Sequence, residues 1–172
     1  GKKPIKSTYL IHKANFVACH NPSYVNKYNM VQELVDGGTF LLNCAWNMEG
    51  LEKHLPGQVK AFIANHNIKF YTIDGVKIGI ETGMGPTRIN TILQSAFFKL
   101  TGIIPEEQAI DLMKAAAKAT YGRKGDDVVQ KNWAAIDAGA KQVVEIQVPE
   151  SWKNAEDEGL HMTHATEGRQ DV

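Results

Sequence analysis

Short apolar runs that alternate with stretches of helical period set the first limit on what this chain can fold into. Residues 15–19, 39–43 and 68–74 are rich in β-branched and aromatic side chains and end abruptly at polar or glycine positions, the pattern of buried strands. Between them lie two stretches with apolar residues at helical spacing. In residues 23–35 these are Tyr24, Val25, Tyr28, Val31, Leu34 and Val35, and Asp36-Gly37-Gly38 follows as a helix stop, since glycine accepts the left-handed conformation at a helix C-terminus. Residues 49–66 are helical again, interrupted at Pro56-Gly57, with Val59, Phe62 and Ile63 resuming the period. Strands that alternate with helices imply βαβ units and a sheet covered on both faces. The expectation is a three-layer α/β/α, Rossmann-like domain with a largely parallel sheet. Residues 7–11 are a marginal additional strand.

The second half is mainly helical. Residues 87–100 carry Ile89, Ile92, Leu93, Ala96, Phe97 and Leu100 on one broad face. Residues 105–121 open with Pro105-Glu106-Glu107, acids where a helix N-terminus favours them. Residues 126–139 form a third helix and 142–148 a late strand. Ile73 and Phe97 are expected in the core. The compact domain spans residues 1–150; residues 151–172 are polar, lack a period and read as a tail or linker.

Composition excludes several function classes. Nineteen basic and nineteen acidic residues balance, so no global field draws the chain to nucleic acid or to an anionic membrane. No apolar run approaches the roughly 20 residues needed to span a bilayer. The two cysteines, Cys19 and Cys44, make no disulfide framework, which favours a reducing, cytoplasmic compartment.

In a parallel sheet ligands gather at the carboxyl ends of strands. Three polar clusters fall there: Cys19-His20-Asn21-Pro22, the residues from Asn43 to Asn47, and Asp74-Gly75. They are expected along one rim. Cys19, His20 and Cys44 lack the ligand number and spacing of a zinc or iron–sulfur site, so no metal is assigned. A Cys/His nucleophile pair would lack its orienting third group. The loop Gly83-Met84-Gly85-Pro86, with Arg88 just beyond it, admits two readings. Backbone N–H groups at a helix N-terminus could receive an anion with Arg88 adding a fork-shaped donor; otherwise the loop is a helix cap beside a surface arginine. The basic turn at residues 122–125 reads as solvated.

Beyond these readings, the segments "FVACHNPSYV", "GGTFLLN", "LEKHLP", "IKFYTID", "RINTILQSAFFKLTGIIP" and "ATYGRKGDDVVQKN" together resemble pyruvate:ferredoxin (flavodoxin) oxidoreductase, in particular its gamma or third domain. The likeness runs in order over residues 3–152. In that family the domain begins with a glycine-rich strand–loop–helix, so the resemblance implies a chain lacking the native N-terminal strand and helix. It implies oxidative decarboxylation of pyruvate with coenzyme A, giving acetyl-CoA and carbon dioxide, with electrons passed to ferredoxin or flavodoxin. Thiamine diphosphate, magnesium and [4Fe–4S] clusters would belong to the parent enzyme and none to this chain, which alone would be inactive. The other domains of the parent and its homodimer are the implied partners. His20, Asn21, Arg88 and Asn90 are the candidates for the coenzyme A side of the active site. Two alternatives stand beside this: a separate gamma subunit acting as an assembly module, and a free-standing Rossmann-like nucleotide-binding or transferase enzyme.

Overall fold

The computed structural model describes residues 14–27, 29–86 and 88–156. The expected strand at 7–11, Tyr28, Thr87 and the end of the chain from residue 157 lie outside the described residues. The strands are β1 (Ala14–Cys19), β2 (Leu34–Asn43), β3 (Lys69–Ile73) and β4 (Val144–Glu145). The helices are α1 (Met48–His54), α2 (Gly57–Asn65), α3 (Gly75–Glu81), α4 (Asn90–Thr101), α5 (Glu106–Tyr121) and α6 (Asp126–Lys141). The fold is mixed α/β, a small four-stranded sheet of order β1-β2-β3-β4 flanked by helices.

That sheet corrects the expectation of a largely parallel one: it is mixed. β4 runs antiparallel to β3, with Tyr71 opposite Glu145 and Thr72 opposite Val144. Apolar period does not encode strand direction. The exposure of β4 does fit the outcome, since parallel strands are buried on both faces whereas Val144 is 52% exposed. The late strand is also shorter than the run 142–148.

The chain divides into two compact units. The first takes in residues up to Leu41, Met48–Phe70 and those from Ile146 onward. Its core is aromatic and aliphatic. Phe40 stacks on Phe70 at 5.5 Å, and Phe70 meets Trp152 at 6.3 Å. Leu51, Leu55, Val59 and Ile63 of the α1–α2 region are buried. Trp152, in the 3-10 turn Glu150–Asn154, is 1% exposed and donates its indole N–H to Glu52 at 2.9 Å.

The helix expected over residues 23–35 is replaced by two 3-10 turns, Pro22–Asn26 and Met30–Glu33, and then by the start of β2. The buried residues are Val25, Val31 and Leu34. A three-residue turn repeats its face nearly as an α-turn does, so the same spacing serves both. The Asp36-Gly37-Gly38 stop is instead a kink inside β2. Gly37 has φ +79° and its N–H reaches the His66 carbonyl at 2.9 Å, a conformation glycine adopts without strain.

The second unit comprises Leu42–Asn47 and Tyr71–Glu145. Its helices α4, α5 and α6 begin and end within a few residues of their expected limits, with Glu106, Glu107, Asp126 and Asp127 in first turns, where the helix dipole favours acids. α3 was not foreseen. Ile73 is buried as expected, whereas Phe97 is only half-buried, edge-on to Phe98 at 5.4 Å. Small residues let backbones close: a Cβ on Gly139 would lie 2.5 Å from the Ile92 carbonyl oxygen. Beside that contact, the buried Ser95 hydroxyl donates to the Ile136 carbonyl.

Candidate functional site

The structure brings the carboxyl ends of β2 and β3 together. The Cys44 N–H donates to the Ile73 carbonyl at 2.9 Å. The Asn43 side chain, on a residue only 4% exposed, accepts from the Gly75 N–H at 2.7 Å. A buried amide can hold such a place only when hydrogen-bonded. Asp74 caps α3 by accepting from the Lys77 N–H at 3.0 Å. Two of the three polar clusters read from the sequence thus form one junction in the second unit.

The third cluster belongs to the first unit. Asn21 accepts from the Ser23 N–H at 3.0 Å and from its hydroxyl at 2.9 Å, so its side-chain carbonyl caps the turn that Pro22 opens. The Cys19 thiol donates to the Asn21 backbone carbonyl at 3.1 Å. Burial pushes that thiol above its ordinary range, with a backbone hydrogen bond at Asn21 opposing in part. It is therefore a packed side chain and a poor nucleophile at neutral pH. His20 and Asn21 themselves are exposed.

The glycine loop closes the C-terminal end of α3. Gly83 and Gly85 have φ +85° and +94°. Their N–H groups return to carbonyls of α3, Gly83 to Ile80 at 3.2 Å and Gly85 to Gly79 at 2.9 Å. Committed in this way, they are not the N–H cradle of an anion site. What stands beyond the loop is side-chain chemistry. Arg88 is exposed and forms no ion pair among the described residues. Asn90 is exposed at the first position of α4. Between them Ile89 is half-buried, and a Cβ on Gly75 would come within 3.2 Å of it. A fixed residue thus separates two outward polar ones. A guanidinium presents a planar fork suited to phosphate or carboxylate, and the start of a helix adds favourable partial charge for an anion.

Sequence reasoning placed Asn43 and Gly75 on the polar rim without the bond between them, and missed Gly79. The available signal was a glycine pair four apart, Gly75-Val76-Lys77-Ile78-Gly79, which lies on one helix face. Among the described residues no three His, Cys, Asp or Glu side chains are grouped to hold a metal, and Cys19 and Cys44 are buried thiols outside any disulfide. No described helix is long and apolar enough to cross a membrane.

Comparison with known proteins adds a family. The profile described as pyruvate ferredoxin/flavodoxin oxidoreductase matches residues 1–142. The chain is 48% identical over 158 residues to pyruvate:ferredoxin oxidoreductase of Moorella thermoacetica, and 46% identical over 157 residues to pyruvate-flavodoxin oxidoreductase of Enterobacter agglomerans. These alignments cover 92% and 91% of this chain but only 13% of each relative. Pyruvate dehydrogenase [NADP(+)] of Cryptosporidium parvum is 46% identical over 152 residues, 88% of this chain and 8% of that protein. The fold is similar to that of the crystal structure of pyruvate oxidoreductase subunit PORC from Thermotoga maritima. The TM-score is 0.62 at 17% identity, covering 80% of this chain and 68% of that one.

Proposed function

We propose, from the fact that this chain belongs to the pyruvate ferredoxin/flavodoxin oxidoreductase family, that it is the gamma domain of a cytoplasmic multidomain enzyme and supplies part of the coenzyme A side of its active site. The reaction is pyruvate plus coenzyme A giving acetyl-CoA, carbon dioxide, a proton and two electrons, the electrons passing to ferredoxin or flavodoxin. We take residues 1–150 as the domain; 151–172 begin with the turn whose Trp152 packs into the first unit and then lead toward the next. Thiamine diphosphate with magnesium would stabilise the carbanion left by decarboxylation and [4Fe–4S] clusters would carry the electrons, all held by other domains. The donor set here suits neither: the two cysteines are buried, and no metal-binding group forms among the described residues. Relatives named for ferredoxin, flavodoxin and NADP(+) resemble this segment almost equally, which fits a segment that does not select the electron acceptor.

The observation that carries the coenzyme A reading is the exposed Arg88, without an ion pair among the described residues and set beside the start of α4 with Asn90 one step on. Coenzyme A brings phosphates, for which such a guanidinium is suited. His20 and Asn21 are the remaining candidates. In the parent polypeptide Arg88→Ala should raise the coenzyme A KM, since losing hydrogen bonds to a charged group costs about 1.5–3 kcal/mol. That corresponds to roughly 10- to 150-fold. The pyruvate KM and kcat should hold, as for binding equal in ground and transition states. An unchanged coenzyme A KM removes the ligand role.

A second reading, a separate gamma subunit that serves assembly, is favoured by the fold likeness to a chain described as a subunit. The two differ when this chain is purified alone and mixed with the remaining polypeptide. Reconstituted pyruvate-dependent dye reduction supports the subunit, whereas activity only from the continuous polypeptide supports the domain.

A further inference from the structure

The short helix α3 places two glycines, Gly75 and Gly79, four residues apart on one face. Neither has a positive φ, so a backbone conformation does not require glycine. Space does. A Cβ on Gly79 would strike the Gly85 carbonyl oxygen. A Cβ on Gly75 would lie 2.9 Å from Asn43 Oδ1, 3.2 Å from Ile89 Cγ2 and 3.3 Å from Ile89 Cβ. The same two positions make the bonds that hold the segment: the Gly79 carbonyl accepts from the Gly85 N–H at 2.9 Å, and the Gly75 N–H donates to Asn43 at 2.7 Å. The neighbouring face of α3 is open, with Val76 and Ile80 exposed. One side of this helix therefore receives Gly85 and Ile89, and the Asn43 side chain fixes the helix to the end of β2.

We propose that α3 is a positioning element: its glycine face and Asn43 set where Arg88 and Asn90 stand. This inference rests on the coenzyme A reading for its catalytic consequence, though not for its structural one. Ile89 is the coupling residue. It lies against Gly75, its carbonyl accepts from the Leu93 N–H at 2.9 Å and so opens α4, and its neighbours on either side are the two candidate contacts. Displacing Ile89 by the width of a methyl group moves both at once. Misplacing a contact group by about 1 Å can cost on the order of a hundredfold in rate. Helix propensity argues the other way, because alanine is favoured over glycine in a helix. A purely local role thus predicts that the alanine variants are harmless or stabilising.

The test uses the complete parent polypeptide carrying Gly75→Ala, Gly79→Ala, Asn43→Ala or Asn43→Asp, with Val76→Ala on the exposed face as control. Two readouts are taken: amide hydrogen exchange in the peptide spanning residues 85–93, and the KM for coenzyme A beside that for pyruvate. Both glycine variants and Asn43→Ala should speed exchange at the Gly85 and Leu93 amides and raise the coenzyme A KM about tenfold, leaving the pyruvate KM in place. Asn43→Asp keeps an acceptor for the Gly75 N–H at a helix start that tolerates an acid and, against the cost of burying a charge, should bring both readouts back toward wild type from Asn43→Ala. Val76→Ala should move neither. If Gly79→Ala does not fold, Gly75→Ala and the Asn43 pair decide. Faster exchange with an unchanged coenzyme A KM, in these variants and in Arg88→Ala, upholds the positioning and ends the coenzyme A reading. Unchanged exchange and KM in the glycine variants, while Arg88→Ala raises the KM, overturns the positioning and keeps that reading.

Discussion

The two compact units reach a dense interior by opposite means. The first fills space with large rings: Phe40, Phe70 and Trp152 are each at most 1% exposed and lie in sequence along one aromatic row. The second removes side chains so that segments approach closely, backbone to backbone at Gly139 against Ile92 and at Gly79 against Gly85, and backbone to side chain at Gly75 against Ile89. Each unit is vulnerable to a different kind of substitution. A core of rings fails when a side chain is cut away, because a cavity adds to the lost transfer energy. A core of close approaches fails when a side chain is added, because a packed backbone has nowhere to move.

The largest effect should therefore come from deletion in the first unit. Trp152→Ala is expected to lower the unfolding free energy by about 3–5 kcal/mol, read from denaturant melts. The indole fills a buried site and also carries Lys60 over its ring at 5.8 Å. A loss below about 0.5 kcal/mol, the range of surface substitutions, would mean the aromatic row is dispensable. Trp152→Phe sharpens the point. It keeps a ring and loses the bond to Glu52, which should cost about 1 kcal/mol.

Addition in the second unit comes next. Gly139→Ala should destabilise by about 1–3 kcal/mol, although alanine is favoured over glycine by about 1 kcal/mol in an unconstrained helix. Stabilisation on this substitution would show that α4 and α6 stand further apart than the Ile92 contact requires. Deleting the buried hydroxyl nearby, Ser95→Ala, should cost less, about 0.5–1.5 kcal/mol by the same melt.

The smallest effect concerns pH. Burial raises the Cys19 thiol above its ordinary 9.0, so the folded state disfavours the thiolate. Its contribution to stability is fully present below that value and is lost as pH rises through the higher folded one. Cys19→Ala should flatten this alkaline loss in melts run between neutral pH and about pH 10. Modification of Cys19 by a disulfide reagent at neutral pH, as fast as in urea, would contradict the buried state.

The same contrast explains what could be read from the sequence. Helices α4 to α6 and strand β3 were legible because amphipathic period and β-branched runs are local signals. Rings announce themselves in the sequence, yet Trp152 sits in a polar stretch whose lack of period hides its partner Glu52, 100 residues away. Close approaches leave less trace. Gly75 and Gly79 lower helix propensity within a seven-residue helix, so α3 could not be distinguished from loop. The bond from Gly75 to Asn43 spans 32 residues and follows no spacing rule. Arg88 stood out beside the glycine loop and Asn90 entered through family resemblance; the seating of Ile89 against Gly75 became visible only in three dimensions.

The decisive structure is that of the complete parent polypeptide with coenzyme A bound. The Arg88 guanidinium should lie within hydrogen-bonding distance of a coenzyme A phosphate, with Asn90 beside it and Ile89 seated on Gly75. Ordered coenzyme A touching none of Arg88, Asn90, His20 and Asn21 would contradict that placement.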